Sequence, residues 1–437
     1  MKFILTAGGT GGHIYPALSV LDEIKKDKKN EYLYIGTEDR MESELIPDMG
    51  IPFVGLEIYG LSKTNIIRDI KNIGCIVSSY RKCLKIMDEF KPDAVIAFGG
   101  YVTLPVCLAA KKRKVKVFLH EQNMLPGKTN IFLSKYADAV FTSFKDGMRK
   151  LKCKNIIYTG NPVSQRAIEC KKYNKTNLGF TKEKKLIVIV MGSLGSTSVN
   201  EKILDFLRTF EREDTEILFI TGKKSFNDLN NNLIVPKSTK IVPFFDNLPT
   251  IMKSSDLIIS RAGASTIAEI MATKTPSILI PSPYVANNHQ YYNALDLVNK
   301  KISIMLEEKD LNTENLTNAI DEMFDEETFK EVRNNLREIK DISSSTIILD
   351  KVKEILGNKN EKKSKKKQTK PPRNMGAKAK EAARVLSVAG SKKDLALNSI
   401  ADALIEHKDE IIKANNIDIE YYRKRPCVQI IGEAARI

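Results

Sequence analysis

Gly8, Gly9, Thr10, Gly11, Gly12 and His13 form one unbroken run directly after the apolar stretch Phe3-Ile4-Leu5. A buried strand that passes through side-chain-free backbone into a helix offers N–H groups and a helix N-terminus to a phosphate or similar oxyanion. His13 closes the run, where an imidazole could reach the bound group and exchange a proton with it. The run lacks the Lys-Ser/Thr pair of a P-loop and the third glycine of a dinucleotide turn. A tight turn without a ligand is the alternative reading.

Four histidines occur in the chain, and His13, His120 and His289 fall at strand ends or in loops, where α/β proteins build their sites. A structural role is the alternative for each. Gly99-Gly100-Tyr101 gives a second close-approach turn after another apolar strand. Arg261-Ala262-Gly263-Ala264-Ser265-Thr266 leads into a helix that contains Glu269 one turn in. Its small residues let a ligand approach the helix N-terminus, and a carboxylate at Glu269 could accept two adjacent hydroxyls, as on a ribose. The plain alternative is a glutamate that complements the helix dipole. No Asp-x-Asp pair or metal-type spacing is present in this part of the chain, so no metal and no cofactor are expected. A departing nucleotide diphosphate would then be stabilised by backbone donors and helix N-termini.

The elements that must position these residues alternate between short apolar strands and amphipathic helices. Strands are expected at 2–6, 32–35, 94–97, 115–120, 139–142 and 155–158, and again at 186–190, 216–221, 240–243, 257–260 and 277–281. This is the pattern of parallel sheets covered on both faces. The chain reads as two doubly wound, Rossmann-like α/β halves facing a cleft, each opening with a strand and a glycine-containing turn; the second turn is Gly192-Ser193-Leu194-Gly195-Ser196. The expected division is 1–160, 161–340, a closing helix at 341–357, a Lys-rich disordered linker at 358–373 and a short helical tail at 374–437.

The 437 residues carry a formal charge of +16, part of it concentrated in the Lys-rich segment. A basic balance suggests an anionic partner. Trp is absent and there is no aromatic platform or recognition motif, which argues against nucleic acid. The six cysteines show no metal or redox spacing and read as reduced thiols of a cytosolic protein. No signal peptide is recognised, and no apolar run approaches the roughly 20 residues that span a bilayer. The segment 64–90 is amphipathic and basic, with Ile66, Ile67, Ile70 and Ile73 beside Lys71 and Arg81. Such a helix can lie on an anionic membrane surface, or it can face the core with a solvated polar side.

Taken in order, the turn Gly8–His13, Tyr34-Ile35-Gly36-Thr37, Gly99-Gly100-Tyr101, His120-Glu121-Gln122-Asn123, Gly160-Asn161-Pro162, Arg261–Thr266 with Glu269, and His289-Gln290 with Asn293-Ala294 resemble the MurG family. Its members transfer N-acetylglucosamine (GlcNAc) from UDP-GlcNAc onto lipid I, making lipid II for peptidoglycan. Over residues 1–357 the resemblance implies a two-domain GT-B fold, an inverting metal-independent transfer, and peripheral attachment to the cytoplasmic face of the plasma membrane. It implies His13 as the catalytic base, and Thr10, Gly11 and Gly12 as the loop at the donor and acceptor diphosphates. It further implies substrate contacts from Asn123, from Ser193 of the second turn, and from the backbone of Phe245 to uracil. Ala264, Ser265 and Thr266 match the donor-phosphate loop, Glu269 the ribose-binding acid and Gln290 a residue that reads the sugar.

The sequence departs from the family pattern at Leu194, where a side-chain amide or cation is lost, and at Ser164, where many members carry arginine in the substrate region. Met375–Glu420 is similar to the N-terminal start of γ-glutamyl phosphate reductase, without that enzyme's nucleotide-binding body or catalytic cysteine, so no reductase activity is expected. The rival readings are another GT-B glycosyltransferase with a different lipid or sugar acceptor, a nucleic-acid binder, and a sugar-nucleotide-binding protein without activity.

Overall fold

The computed structural model describes residues 1–60, 66–145, 148–191, 197–228 and 235–368. Ser193 and residues 369–437, with the stretch similar to γ-glutamyl phosphate reductase, lie outside the described residues. In the first half, β1 (Lys2–Ala7), β2 (Glu31–Thr37), β3 (Phe53–Leu56), β4 (Ala94–Gly99), β5 (Lys116–Glu121), β6 (Ala139–Thr142) and β7 (Ile156–Tyr158) form one parallel sheet. Its order is β3-β2-β1-β4-β5-β6-β7. In the second half, β8 (Lys185–Val190), β9 (Thr215–Ile220), β10 (Thr239–Val242), β11 (Leu257–Ser260), β12 (Ser277–Leu279) and β13 (Ser303–Met305) run in the order β10-β9-β8-β11-β12-β13.

Central strands such as β1, β4 and β8 are near-continuous apolar runs because helices bury both of their faces. Strand order reverses between β1 and β4 in one sheet and between β8 and β11 in the other. Side chains and ligands gather beyond the carboxyl ends of strands at such switch points. Gly8–His13 follows β1, Gly99 ends β4, and Arg261–Thr266 follows β11, so the chemistry-bearing turns emerge where the topology opens a crevice.

The expected strands are present, with ends shifted by a residue or two. Two edge strands, β3 and β13, go beyond the expectation. Both are short, and β3 is preceded by Pro52 and interrupted by Gly55, which weakens its sequence signal.

The closing helix Ser344–Gln368 returns to the first half, where Ile348, Leu349, Val352 and Leu356 join the core of Phe3, Leu5 and Ile14. It continues past Gly357 to Gln368. Lys, Glu and Gln propagate a helix readily once an anchored turn has nucleated it.

The helix Ile66–Phe90 buries Cys83 and Met87 in the core, with Ile76, Leu84 and Phe90 packed against the same cluster. Its C-terminal part is therefore core-facing, and Arg81 stands on the exposed side. The side chains of Ile66, Ile67, Ile70, Lys71 and Ile73 lie outside the described residues. Among the described residues no helix is long and apolar enough to cross a membrane.

Candidate active site

The first glycine turn is clamped to its neighbour. Gly8 N–H donates to Gly99 O at 3.3 Å. Gly99 and Gly100 both have positive φ, and a Cβ on Gly100 would meet Gly8 O at 2.5 Å. Any side chain there would push the two turns apart. Thr10 stands at the N-cap position and Gly11 opens the helix Gly11–Lys25, so the N–H groups of Gly11 and Gly12 belong to its first turn and have no partner within the helix.

His13 is half-buried beside this clamp. Its Nδ1 lies 3.3 Å from Gly8 O and 3.4 Å from Thr10 Oγ1. A carbonyl can only accept, so Nδ1 carries the proton and Nε2 keeps its lone pair. Burial lowers the imidazole's proton affinity below the ordinary histidine value, Gly8 O and Glu42 act in the opposite direction, and His289 adds to the lowering. A neutral imidazole with an available Nε2 is the form a general base requires.

Glu42 carried no expectation from sequence. It is fully buried beneath the turn. Its carboxylate accepts Gly9 N–H at 3.2 Å, Thr37 N–H at 3.0 Å and Thr37 Oγ–H at 2.7 Å. In sequence it is an ordinary first-turn helix acid, and no local signal marks it.

The His120-Glu121-Gln122-Asn123 motif divides into three scaffolding residues and one that faces the cleft. His120 is buried, donates from Nε2 to Gly160 O at 3.1 Å, and is pushed down by burial to about 4. Glu121 accepts from Asn123 N, Gly127 N and Asn130 Nδ2, which shapes the loop after β5. Gln122 donates to Phe98 O at 2.7 Å and ties β5 to β4. Asn123 reaches the second half, where its Oδ1 lies 3.5 Å from Asn293 Nδ2. Asn293 Oδ1 in turn accepts Met124 N–H at 3.1 Å.

In the second half, Ala264, Ser265 and Thr266 open the helix Ala264–Thr273. Ser265 Oγ is buried with no hydrogen-bond partner among the described residues. The carboxyl of Glu269, half-buried one turn in, has no hydrogen bond or ion pair among the described residues, and burial pushes it up to about 7. Gln290 Oε1 accepts Ser282 N–H at 2.9 Å, which orients its amide and leaves the NH₂ group to donate elsewhere. Arg261 pairs with Glu308 at 2.7 Å and so supports the turn from beneath. Phe245 is half-buried against Tyr173, with ring centroids 5.1 Å apart.

Ser164 lies beside Ala264, with which it lines one cavity. Its Oγ donates to Asn161 O at 2.7 Å and lies 3.3 Å from Ser344 Oγ, where the chain passes between the halves. The nearby Arg166 pairs with Asp22 of the helix Gly11–Lys25.

Two family models cover most of the chain. Residues 3–142 match the glycosyltransferase family 28 N-terminal domain and residues 186–347 the C-terminal domain of the same family. The UDP-N-acetylglucosamine–N-acetylmuramyl-(pentapeptide) pyrophosphoryl-undecaprenol N-acetylglucosamine transferase of Bacillus licheniformis is 38% identical over 339 residues, 76% of this chain and 93% of its own. The Bacillus cytotoxicus protein of the same name is 40% identical over 331 residues, 74% of this chain and 90% of its own. A crystal structure of Acinetobacter baumannii MurG, at 24% identity, covers 81% of this chain and 99% of its own with a TM-score of 0.64. The S. aureus MnaA–UDP structure, at 17% identity, covers 82% of this chain and 97% of its own with a TM-score of 0.61. These two likenesses concern the fold, which is GT-B. With both family domains matched and relatives at this identity, the chain belongs to the MurG family of glycosyltransferases.

Proposed function

We propose that the enzyme transfers GlcNAc from UDP-GlcNAc to the 4-hydroxyl of the N-acetylmuramyl sugar of lipid I, forming lipid II. The observation that carries this reading is the pairing of two unlike turns at the switch points. One presents a neutral histidine with an available Nε2, and the other a helix N-terminus with an unpartnered serine and a desolvated glutamate. The donor lies against the second half. Its diphosphate takes the N–H groups of the helix Ala264–Thr273, its ribose hydroxyls take Glu269, its uracil lies by the Phe245 backbone, and its sugar meets Gln290. Ser193 contacts the donor from the other turn of that half. The acceptor pyrophosphate lies by Thr10, Gly11 and Gly12, and Asn123 orients the sugars between the halves.

His13 Nε2 takes the proton of the acceptor hydroxyl as its oxygen attacks the anomeric carbon from the face opposite UDP. The bond from that carbon to the phosphate oxygen breaks, its electron pair leaves with UDP, and the configuration inverts. Proton removal supplies about 10²–10⁴-fold, so orientation and stabilisation of the departing diphosphate supply the rest. No metal takes part in this scheme. The first half attaches peripherally to the anionic cytoplasmic face of the plasma membrane through the helix Ile66–Phe90, and the product serves wall growth, cell shape and division. Ser164 joins the substrate region beside Ala264.

Purified enzyme, UDP-GlcNAc and a lipid I analogue in detergent should yield the disaccharide lipid and UDP, with or without EDTA. Hydrolysis of the donor alone, or transfer only to another acceptor, would overturn the assignment. Loss of transfer on chelation, restored by Mg²⁺, would overturn the metal-free mechanism.

A further inference from the structure

The Tyr34-Ile35-Gly36-Thr37 motif has no substrate contact in the scheme above, yet it underlies the first glycine turn. Tyr34 Oη donates to Ala7 O at 3.3 Å, just before the turn. Thr37 gives both its N–H and its hydroxyl to Glu42. Two glycines make the room: a Cβ on Gly8 would lie 2.3 Å from Glu42 Oε1, and one on Gly36 would lie 2.6 Å from Glu42 Cγ. Three donors, Gly9 N–H, Thr37 N–H and Thr37 Oγ–H, converge on this one buried side chain. Gly9 N–H is shared between the two carboxylate oxygens, at 3.3 and 3.2 Å, so a glutamine in this place would turn its NH₂ group toward Gly9 N–H and lose one of these contacts.

This arrangement has two consequences for the turn. Gly9 N–H points down at Glu42, so the anion is left to the N–H groups of Gly11 and Gly12 at the helix start. Pinning Gly9 also fixes the preceding Gly8 carbonyl, which accepts His13 Nδ1–H on one side while Gly8 N–H is held by Gly99 O on the other. We propose that Glu42 is a positioning residue: from beneath the turn it sets the Gly8 carbonyl, and through it the tautomer and orientation of His13. The inference rests on the reading of His13 as base for its catalytic consequence, but not for its structural one. The charged and titratable groups that bear on His13 are Glu42 from the helix Met41–Asp48 and His289 from the helix His289–Asn299. Glu42 is hydrogen-bonded to the turn that carries His13.

The test is Glu42→Gln in the full chain, read by ¹⁵N NMR of the imidazoles, with His13→Ala to assign the His13 signal among four histidines. The expected result is a His13 titration shifted downward, because a nearby negative charge is lost. Loss of the Nδ1–H tautomer preference should accompany it. kcat should fall about tenfold to a hundredfold with the donor KM little changed, the pattern of a misaligned base. A folded Glu42→Gln enzyme with wild-type His13 signals and wild-type kcat would overturn the proposal. Altered His13 signals with wild-type kcat would uphold the positioning and overturn His13 as base. Should Glu42→Gln not fold, Thr37→Val removes one of the three donors and is read in the same way.

Discussion

The two turns that face the cleft are finished to different degrees. In the first, Glu42, Thr10 and His13 all have protein partners, and the backbone is locked between Gly99 and Glu42. In the second, neither Ser265 Oγ nor the desolvated Glu269 carboxyl has a partner among the described residues. Burying polar groups without partners is unfavourable by about 1–3 kcal/mol each, so a fold keeps them only where something else repays it. The first turn is preorganised for chemistry on a group that arrives. The second is completed by its ligand.

The largest expected effect follows from the preorganised side. His13→Ala should lower kcat by about a hundredfold or more while the protein stays folded, because the lost proton transfer is a transition-state term. Retention of most of the wild-type kcat across pH would remove His13 as base. On the ligand-completed side, Glu269→Ala should raise the donor KM about tenfold to a hundredfold, the equivalent of a charge-assisted bond of about 1.5–3 kcal/mol. An unchanged donor KM would break the comparison.

Stability should move the other way. The Glu269 carboxyl titrates near 7 in the folded protein against 4.5 ordinarily. Between those values the folded state holds a proton that the unfolded chain has released. Stability without ligand therefore falls as pH rises from 4.5 to about 7, by up to about 3 kcal/mol, and stays lower above. Glu269→Gln should flatten this slope in thermal melts, and a mutant that keeps it would locate the proton elsewhere. Ser265→Ala should weaken donor binding severalfold and leave the ligand-free Tm unchanged or raised, since a buried hydroxyl without a partner is removed. A clear drop in Tm would show that the hydroxyl already has a structural partner. The smallest effect belongs to the C-terminal segment: truncation after Gly357 keeps the anchors Ile348, Leu349, Val352 and Leu356 and should leave kcat in detergent nearly unchanged.

Much of this was legible in sequence because the signals are local. A glycine run between an apolar strand and a helix announces its turn, and Glu269 announces itself by its place after Gly263-Ala264. Glu42 did not, because its burial depends on missing side chains at Gly8 and Gly36 and on the partner Thr37, which only the folded sheet brings together. Ser164 likewise depends on the fold: its hydroxyl donates to Asn161 O and lies 3.3 Å from Ser344 Oγ, a residue far away in sequence.

The division of labour between the turns is tested most directly by calorimetric titration of UDP-GlcNAc into the wild type, His13→Ala and Glu269→Ala. The account predicts wild-type donor affinity for His13→Ala and affinity weakened about tenfold or more for Glu269→Ala. Weakened binding in His13→Ala with wild-type binding in Glu269→Ala would contradict it.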